Sequence, residues 1–536
     1  MSNETNSKVD RPATARIVVG ILAVLLGGLL STLNGRLLSV ELPDLRGALS
    51  LSVEQAAWVS TTFSMGLMFM GVFTVYFGAL LGVRRILLAA SGVYMAATFL
   101  LPFAASYTAM IALQAIAGLS AGTFYPLTLS FILTALPIRV AHWGLAAYSL
   151  SILFGVNIAS QTAAWLNEQH SWPWIFWLLS ATSFVMLLCV WAGVPRTPLP
   201  KANREIHISW RGLLYWSAGL ALLYGALDMG ERVHWFDSPA FAASLAAAAF
   251  LLAASIFRRK QDPNPLLTLP FLRDRSTILL SGVLFAFRFF VLGTALIIPQ
   301  FLAGVGGFRN EQVGPVLAIT ALLQFALAWI VAATLRDLDV RILLALGFAV
   351  IGVTAYFCSR LDSGWSPATF VLPAVFFAVG ESMAMLGLVA GTILQLLSTG
   401  AIAPSGKPER PFDALTFSSF FHTVRIIGGQ VGSVLMLHVI TERTKYHVAI
   451  LGSQTEPFRP AVGGFLRGVA GLDAAAGAAP AHAAGFAGYS LGAAVQRQAA
   501  TLAFADAFTV LSRGTVGVLL CIAFVRLRYS RLEEVE

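Results

Sequence analysis

The sequence predicts an all-α polytopic membrane protein with fourteen transmembrane helices. Three observations carry that prediction. Apolar stretches long enough to cross a bilayer recur from Ile17 to Arg526, and a hydrocarbon core asks for about 20 such residues per helix. The chain is 57% hydrophobic and 11% charged, whereas soluble domains carry about 25% charged residues. The basic residues collect on alternate loops, which is how the positive-inside rule marks the cytoplasmic side.

The elements follow in order. Span 1 (17–40) comes after a tail carrying Lys8, Arg11 and Arg16. It is longer than a signal-peptide core and no A-x-A site follows, so it reads as a retained helix. Span 2 (56–78) starts near Trp58; Arg84 and Arg85 then precede span 3 (86–105). Span 4 (108–136) is followed by Arg139, and spans 5 and 6 (143–165, 173–194) meet at Trp172-Pro173. A basic linker, Lys201–Arg211, precedes spans 7 and 8 (210–227, 239–257). The loop between them holds Asp228, Glu231 and Asp237, which are expected to be solvated. Arg258, Arg259, Lys260, Arg273 and Arg275 lead into span 9 (276–303). Arg336 and Arg341 separate spans 10 and 11 (313–335, 342–359); span 12 (367–396) follows, and Lys407 and Arg410 separate it from span 13 (414–440). Residues 441–500 are rich in Ala and Gly and are expected to form an external, partly helical cap or a flexible loop, dispensable for folding. Span 14 (501–525) ends at Arg526, Arg528 and Arg531. The opposite short loops offer only Arg46, Arg232, Arg309 and Arg360, so both termini are expected in the cytoplasm.

Other classes are disfavoured. A nucleic-acid surface would need the net charge of +9 gathered on one face of one domain. Cys189, Cys358 and Cys521 lie within spans and supply neither a disulfide framework nor a CxxC metal pair. There is no Walker loop, H-E-x-x-H or G-x-S-x-G, so neither an ATP-driven pump nor an enzyme is indicated, and no cofactor is implied.

An internal repeat orders the spans. Arg85-Ile86-Leu87-Leu88-Ala89 opens span 3, and Arg341-Ile342-Leu343-Leu344-Ala345 opens span 11. Spans 3 and 11 correspond if the chain holds two six-helix halves with spans 7 and 8 inserted between them, a transporter-like plan. The expected organisation is a cytoplasmic tail (1–16), an N-terminal half (17–194), linkers with the inserted pair (195–275), a C-terminal half including 441–500 (276–525), and a cytoplasmic tail (526–536).

Several motifs now carry a resemblance. Leu33–Pro43 sits where L-D-x-T-I-V-N-V-A-L-P would stand in span 1. Gly118-Leu119-Ser120-Ala121-Gly122 and Pro126 match a span-4 glycine pattern, and Trp172-Pro173-Trp174-Ile175-Phe176 matches W-x-W-I-F at span 6. Pro299-Gln300 fits the end of span 9, Arg425 through Gly432 matches R-x-x-G-G-x-x-G in span 13, and Gln498-Ala499 with Asp506-Ala507-Phe508 matches the start of span 14. In this order and spacing the chain resembles the major facilitator superfamily, and within it the fourteen-span drug:proton antiporters. The resemblance implies the major facilitator fold, a site between the halves, and proton-coupled efflux of an amphipathic or aromatic compound from a bacterial inner membrane. In a Gram-negative source it also implies a periplasmic adaptor and an outer-membrane channel as partners. The chain departs from the pattern where coupling usually resides. The span-1 aspartate is Asn34, the span-4 arginine is Gln114, and Ala159-Ser160 and Ala163-Ala164 replace the glycines and proline of span 5.

The deep polar residues are the candidates for chemistry, because an ionisable group inside the hydrocarbon costs about 2.5–3.5 kcal/mol on insertion scales. Glu381 in span 12 is the candidate proton-coupling carboxylate, with Arg288 of span 9 or Arg425 of span 13 as its partner, and Asp506 of span 14 as a second coupling candidate. His422 lies three residues before Arg425 on the same helical face; this pair is assigned to structure or to tuning. Asn34, Arg36, Gln114 and Arg288 are the candidate substrate-binding residues. The arginine excess leaves an anionic substrate open. The competing class is a membrane sensor or scaffold that keeps the fold without transport.

Overall fold

In the computed structural model the described residues are 10–136, 138–196, 210–261, 272, 274–335, 337–398, 413–455, 459–477 and 479–527. They form helices α1 (Asp10–Leu49), α2 (Val53–Leu81), α3 (Val83–Leu100), α4 (Tyr107–Gly122), α5 (Phe124–Ala135), α6 (Ile138–Gln169), α7 (Pro173–Gly193), α8 (Trp210–Gly230) and α9 (Pro239–Gln261). After them come α10 (Arg275–Phe290), α11 (Ile298–Gly304), α12 (Asn310–Thr334), α13 (Val340–Cys358), α14 (Pro367–Ser398), α15 (Asp413–Ser453), α16 (Pro460–Ala475) and α17 (Pro480–Ala523). The basic linker 197–209, the loop with Lys407 and Arg410, and both chain ends lie outside the described residues.

Thirteen stretches of the described residues are long and apolar enough to cross a bilayer. Span 4 is α4 and α5 run together, and span 9 is α10 and α11 joined by a π-helical turn, Gly293–Ile297. The twenty-one residues of α8 supply a fourteenth helix. Arg211 and Asp228 near its ends dilute its hydropathy, and it packs against α2 and α9 among the other spans.

Local sequence explains where the helices begin and bend. Ser52 and Gln55 form a capping box at α2; Ser106, Asp274 and Asp339 cap α4, α10 and α13. Pro299 has no N–H to give the carbonyl four residues back, so the ladder breaks at Ala295. The π-helical turn sits at that break.

Neighbour relations recur along the chain. The helix α1 packs on α6 and α7 as α10 packs on α15 and α17. The α3–α4 and α3–α7 contacts are matched by α13–α14 and α13–α17, and α2–α4 by α12–α14. Across the middle, α6 packs on α12 while α2 packs on α15, the exchange a two-fold relation requires. Glycines set the closest approaches. A Cβ on Gly118 would run into the Phe63 carbonyl, and one on Gly122 would lie 2.5 Å from the Leu67 carbonyl, both across the α2–α4 contact. Gly428 and Gly432 meet Phe285 and Phe289 of α10 in the same manner.

Of the two alternatives for residues 441–500, the described ones follow the helical cap rather than the flexible loop. The helix α15 runs on to Ser453, α17 already starts at Pro480, and α16 packs against α17. Alanine favours helix, and Ala483 and Ala487 are buried. At 1.5 Å per residue, the 41 residues of α15 and 44 of α17 reach about 60 and 66 Å, roughly twice the thickness of a hydrocarbon core.

Candidate functional site

A cavity of about 400 Å³ lies between α1, α2, α6, α8, α10, α11 and α15. Each helix lines it from the same end. The lining begins at mid-depth near Ser31, Leu67, Arg288 and Arg425 and reaches the α8–α9 turn at Glu231 and Arg232. That end is the one opposite the basic loops.

Three deep arginines meet here, as their burial in the spans foreshadows. Arg36 of α1 donates through Nη2 to the Ala295 carbonyl, the group that Pro299 leaves without its helical donor. Arg288 of α10 lines the cavity with Nε and Nη1 unpartnered. A Cβ on Gly429 would stand 3.3 Å from its Nε and Nη2, so the glycine gives the guanidinium its room. Arg425 is 2% exposed, and its Cζ lies 3.8 Å from the centre of the Tyr125 ring. Stacking a desolvated guanidinium on an aromatic face is worth about 2 kcal/mol. Its Nη2 faces His422 Nδ1 at 3.4 Å, while its Nε has no partner. Arg425, assigned from the sequence to structure or to tuning, also lines the cavity. None of the three pairs with a carboxylate within 4.0 Å among the described residues.

Asn34 and Gln114 are not where the resemblance puts them. Both are fully buried and neither lines the cavity. Asn34 Nδ2 donates to the Tyr94 hydroxyl at 3.0 Å, on the side of α1 away from the cavity. Gln114 is enclosed in the packing of α4 with neither amide atom partnered. Of the phenylalanines beside Arg288, Phe287 and Phe290 pack edge-on against Phe348 of α13.

Glu381 is fully buried and stands one layer behind the cavity. No arginine lies within ion-pair distance of Glu381 among the described residues, although Arg288 is near enough to act on it through space; neutral donors hold the carboxylate directly. Thr294 Oγ1, on the π-helical turn, donates to its Oε1 at 2.9 Å, and Gln324 Nε2 of α12 donates to its Oε2 at 2.8 Å. Gln324 Oε1 accepts in turn from Asn157 Nδ2 of α6 at 3.0 Å. The buried chain Asn157–Gln324–Glu381 thus crosses the α6–α12 contact. The Thr294 hydroxyl also lies 3.2 Å from the carbonyl of Val291, a cavity-lining residue. It can therefore donate to a carboxylate, or accept from a carboxylic acid while donating to Val291.

Asp506 lies apart from the cavity. Arg443 Nε donates to its Oδ2 at 2.6 Å, and His447 Nε2 lies 2.8 Å from the same oxygen. This cluster joins α15 to α17.

The sequence misses Asp228. It lies within α8, not in a solvated loop, and lines the cavity, as does Glu231 just beyond the helix. Tyr224, four residues earlier, shares its face and also lines the cavity. That spacing is the signal that could have found it. Asp237 is exposed, as expected.

Comparison with known proteins gives the family and the fold. Residues 24–432 match the family described as Major Facilitator Superfamily. The chain is 24% identical to the multidrug export protein EmrB of Haemophilus influenzae, over 83% of this chain and 84% of that protein. It is 23% identical to EmrB of Escherichia coli with the same coverages. Among solved structures it is similar to the proton:xylose symporter XylE (TM-score 0.55, 13% identity, 97% and 98% of the two chains). It is also similar to the human organic anion transporter MFSD10 (TM-score 0.54, 14% identity, 95% and 99%).

Proposed function

The chain belongs to the major facilitator superfamily and is an integral multi-span membrane transporter, and from that premise we propose that it exports an amphipathic, aromatic organic anion in exchange for protons. The observation that carries the choice of anion is the pair Arg288 and Arg425. Each lines the cavity, each keeps unpartnered guanidinium nitrogens, and neither has a carboxylate within ion-pair range among the described residues. Buried cations without an ion-pair partner, in a cavity whose lining arginines outnumber its carboxylates, create a positive potential that an anionic group would relieve. Tyr224 and Phe63, which also line the cavity, offer flat apolar contact for an aromatic body.

Export is favoured by the similarity to multidrug export proteins. Proton coupling is assigned to Glu381, whose hydrogen-bond partners suit either protonation state. Residues 17–194 and 276–525 act as the two halves, rocking about the cavity in alternating access. With the basic loops in the cytoplasm of a bacterial inner membrane, the termini are inside and the cavity seen here faces outward.

Reconstitution tests the proposal. Proteoliposomes with an imposed proton gradient should move the aromatic anion carboxyfluorescein and leave the cation ethidium behind. Arg288→Gln should slow the anion at least tenfold. Ethidium moved in preference to carboxyfluorescein would reverse the charge assignment, and no gradient-driven flux of either would favour the sensor or scaffold class.

A further inference from the structure

One wall of the cavity carries negative charge. Asp228, on the inserted helix α8, lines the same space as Arg288 and Arg425. Its Oδ2 accepts from Thr61 Oγ1 at 2.5 Å and its Oδ1 from Gln430 Nε2 at 3.0 Å. Both donors are neutral, and Asp228 enters no ion pair among the described residues. An ionised carboxylate offers about four acceptor positions. Two are taken, and the charge is not compensated.

The charges are separated along the cavity. Gln430 marks the level of Asp228 on α15, and Arg425 lies five residues deeper on that helix, about 7.5 Å along its axis. Arg425 is 2% exposed with Nε free, and Arg288 reaches in from α10 with Nε and Nη1 free. Arg36 is engaged by the Ala295 carbonyl. Glu231, nearer the mouth, accepts from Trp235 Nε1 at 2.9 Å and faces His438 Nδ1 at 3.4 Å. Arg232 is exposed beside it. Asp228 is thus the lining carboxylate that only neutral groups hold, across from deep arginines that hold no anion.

We propose that the cavity takes a zwitterionic amphiphile. Its anionic group meets Arg288 and Arg425, its aromatic body lies along Tyr224 and Phe63, and its protonated amine meets Asp228. This rests on the anion assignment above and adds a second subsite, supplied by the inserted helix pair. The alternative is that Asp228 only staples α8 to α2 and α15 through Thr61 and Gln430.

Calorimetric binding to the purified full chain separates these, with three probes of one shape: 4-(aminomethyl)benzoate, 4-methylbenzoate and 4-methylbenzylamine. A charged hydrogen bond to Asp228 should make the zwitterion bind about tenfold more tightly than 4-methylbenzoate. Asp228→Asn should erase that preference while affinity for 4-methylbenzoate does not fall; Arg288→Gln should weaken both. Equal affinity of the wild type for zwitterion and anion, or a preference that survives Asp228→Asn, overturns the second subsite and leaves the anion assignment standing. A wild type that binds neither carboxylate, or binds 4-methylbenzylamine best, overturns the anion assignment itself. Should Asp228→Asn fail to fold, carbodiimide labelling of wild-type Asp228 serves. Protection by the zwitterion but not by 4-methylbenzoate is expected, and labelling unaffected by the zwitterion overturns the proposal.

Discussion

Glu381 and Arg288 sit close in the fold but do different work, and single substitutions should separate them. Glu381→Gln mimics the protonated acid, so gradient-driven transport should be lost while substrate exchange persists; counterflow in proteoliposomes measures both. Wild-type gradient-driven transport by this variant would return Glu381 to a structural role in the Asn157–Gln324 chain. Arg288→Gln should instead weaken substrate affinity, because Arg288 lines the cavity and Glu381 does not. The sequence makes all the deep charges visible, since each interrupts a long apolar run. It does not show their partners. The resemblance gives Asn34 and Gln114 a position along a helix, whereas the face they present depends on which neighbours close on them; Asn34 turns out to meet Tyr94. Asp228 escapes notice because span 7 is read as ending at 227, one residue short of it.

At the scale of helices, the close contacts rest on glycine. Gly118→Ala drives a Cβ into the Phe63 carbonyl and should destabilise the protein by about 1–3 kcal/mol. Gly282→Ala meets nothing within 4 Å and should be tolerated. Thermal unfolding in detergent checks the pair, and equal midpoints would mean the α2–α4 approach is looser than it is drawn. Gln324→Leu should strand one oxygen of Glu381 at a cost of about 1–3 kcal/mol, while Asn157 Nδ2 keeps its hydrogen bond to the Leu153 carbonyl. The helical spans are legible in sequence because hydrophobicity and loop charge mark them directly. The extension of α15 and α17 is not, because an Ala/Gly-rich segment of low polarity reads equally as loop or helix until a partner is seen. Asp506, with Arg443 and His447, ties those two helices together. Asp506→Asn should therefore loosen α15 from α17, by no more than about 1 kcal/mol since the pair is part-exposed. Gradient-driven transport should persist; its loss in a stable variant would make Asp506 a coupling group.

For the whole molecule, the repeated neighbour relations and the cavity at one end are what support the proposed site between two halves. The half-and-insert plan is suggested in sequence by one matched pentapeptide, and in the structure α8, one of the two helices proposed as inserted, furnishes part of the cavity wall. In the proposed mechanism, entry of an organic anion into this cavity is tied to proton movement through Glu381. The most direct measurement is the pH change inside proteoliposomes when carboxyfluorescein is added without an imposed gradient. Wild type should show substrate-dependent proton movement opposite to the anion, and Glu381→Gln should show anion exchange with no proton signal. Proton movement of undiminished size in Glu381→Gln, or anion transport by the wild type with no proton signal, would contradict the account.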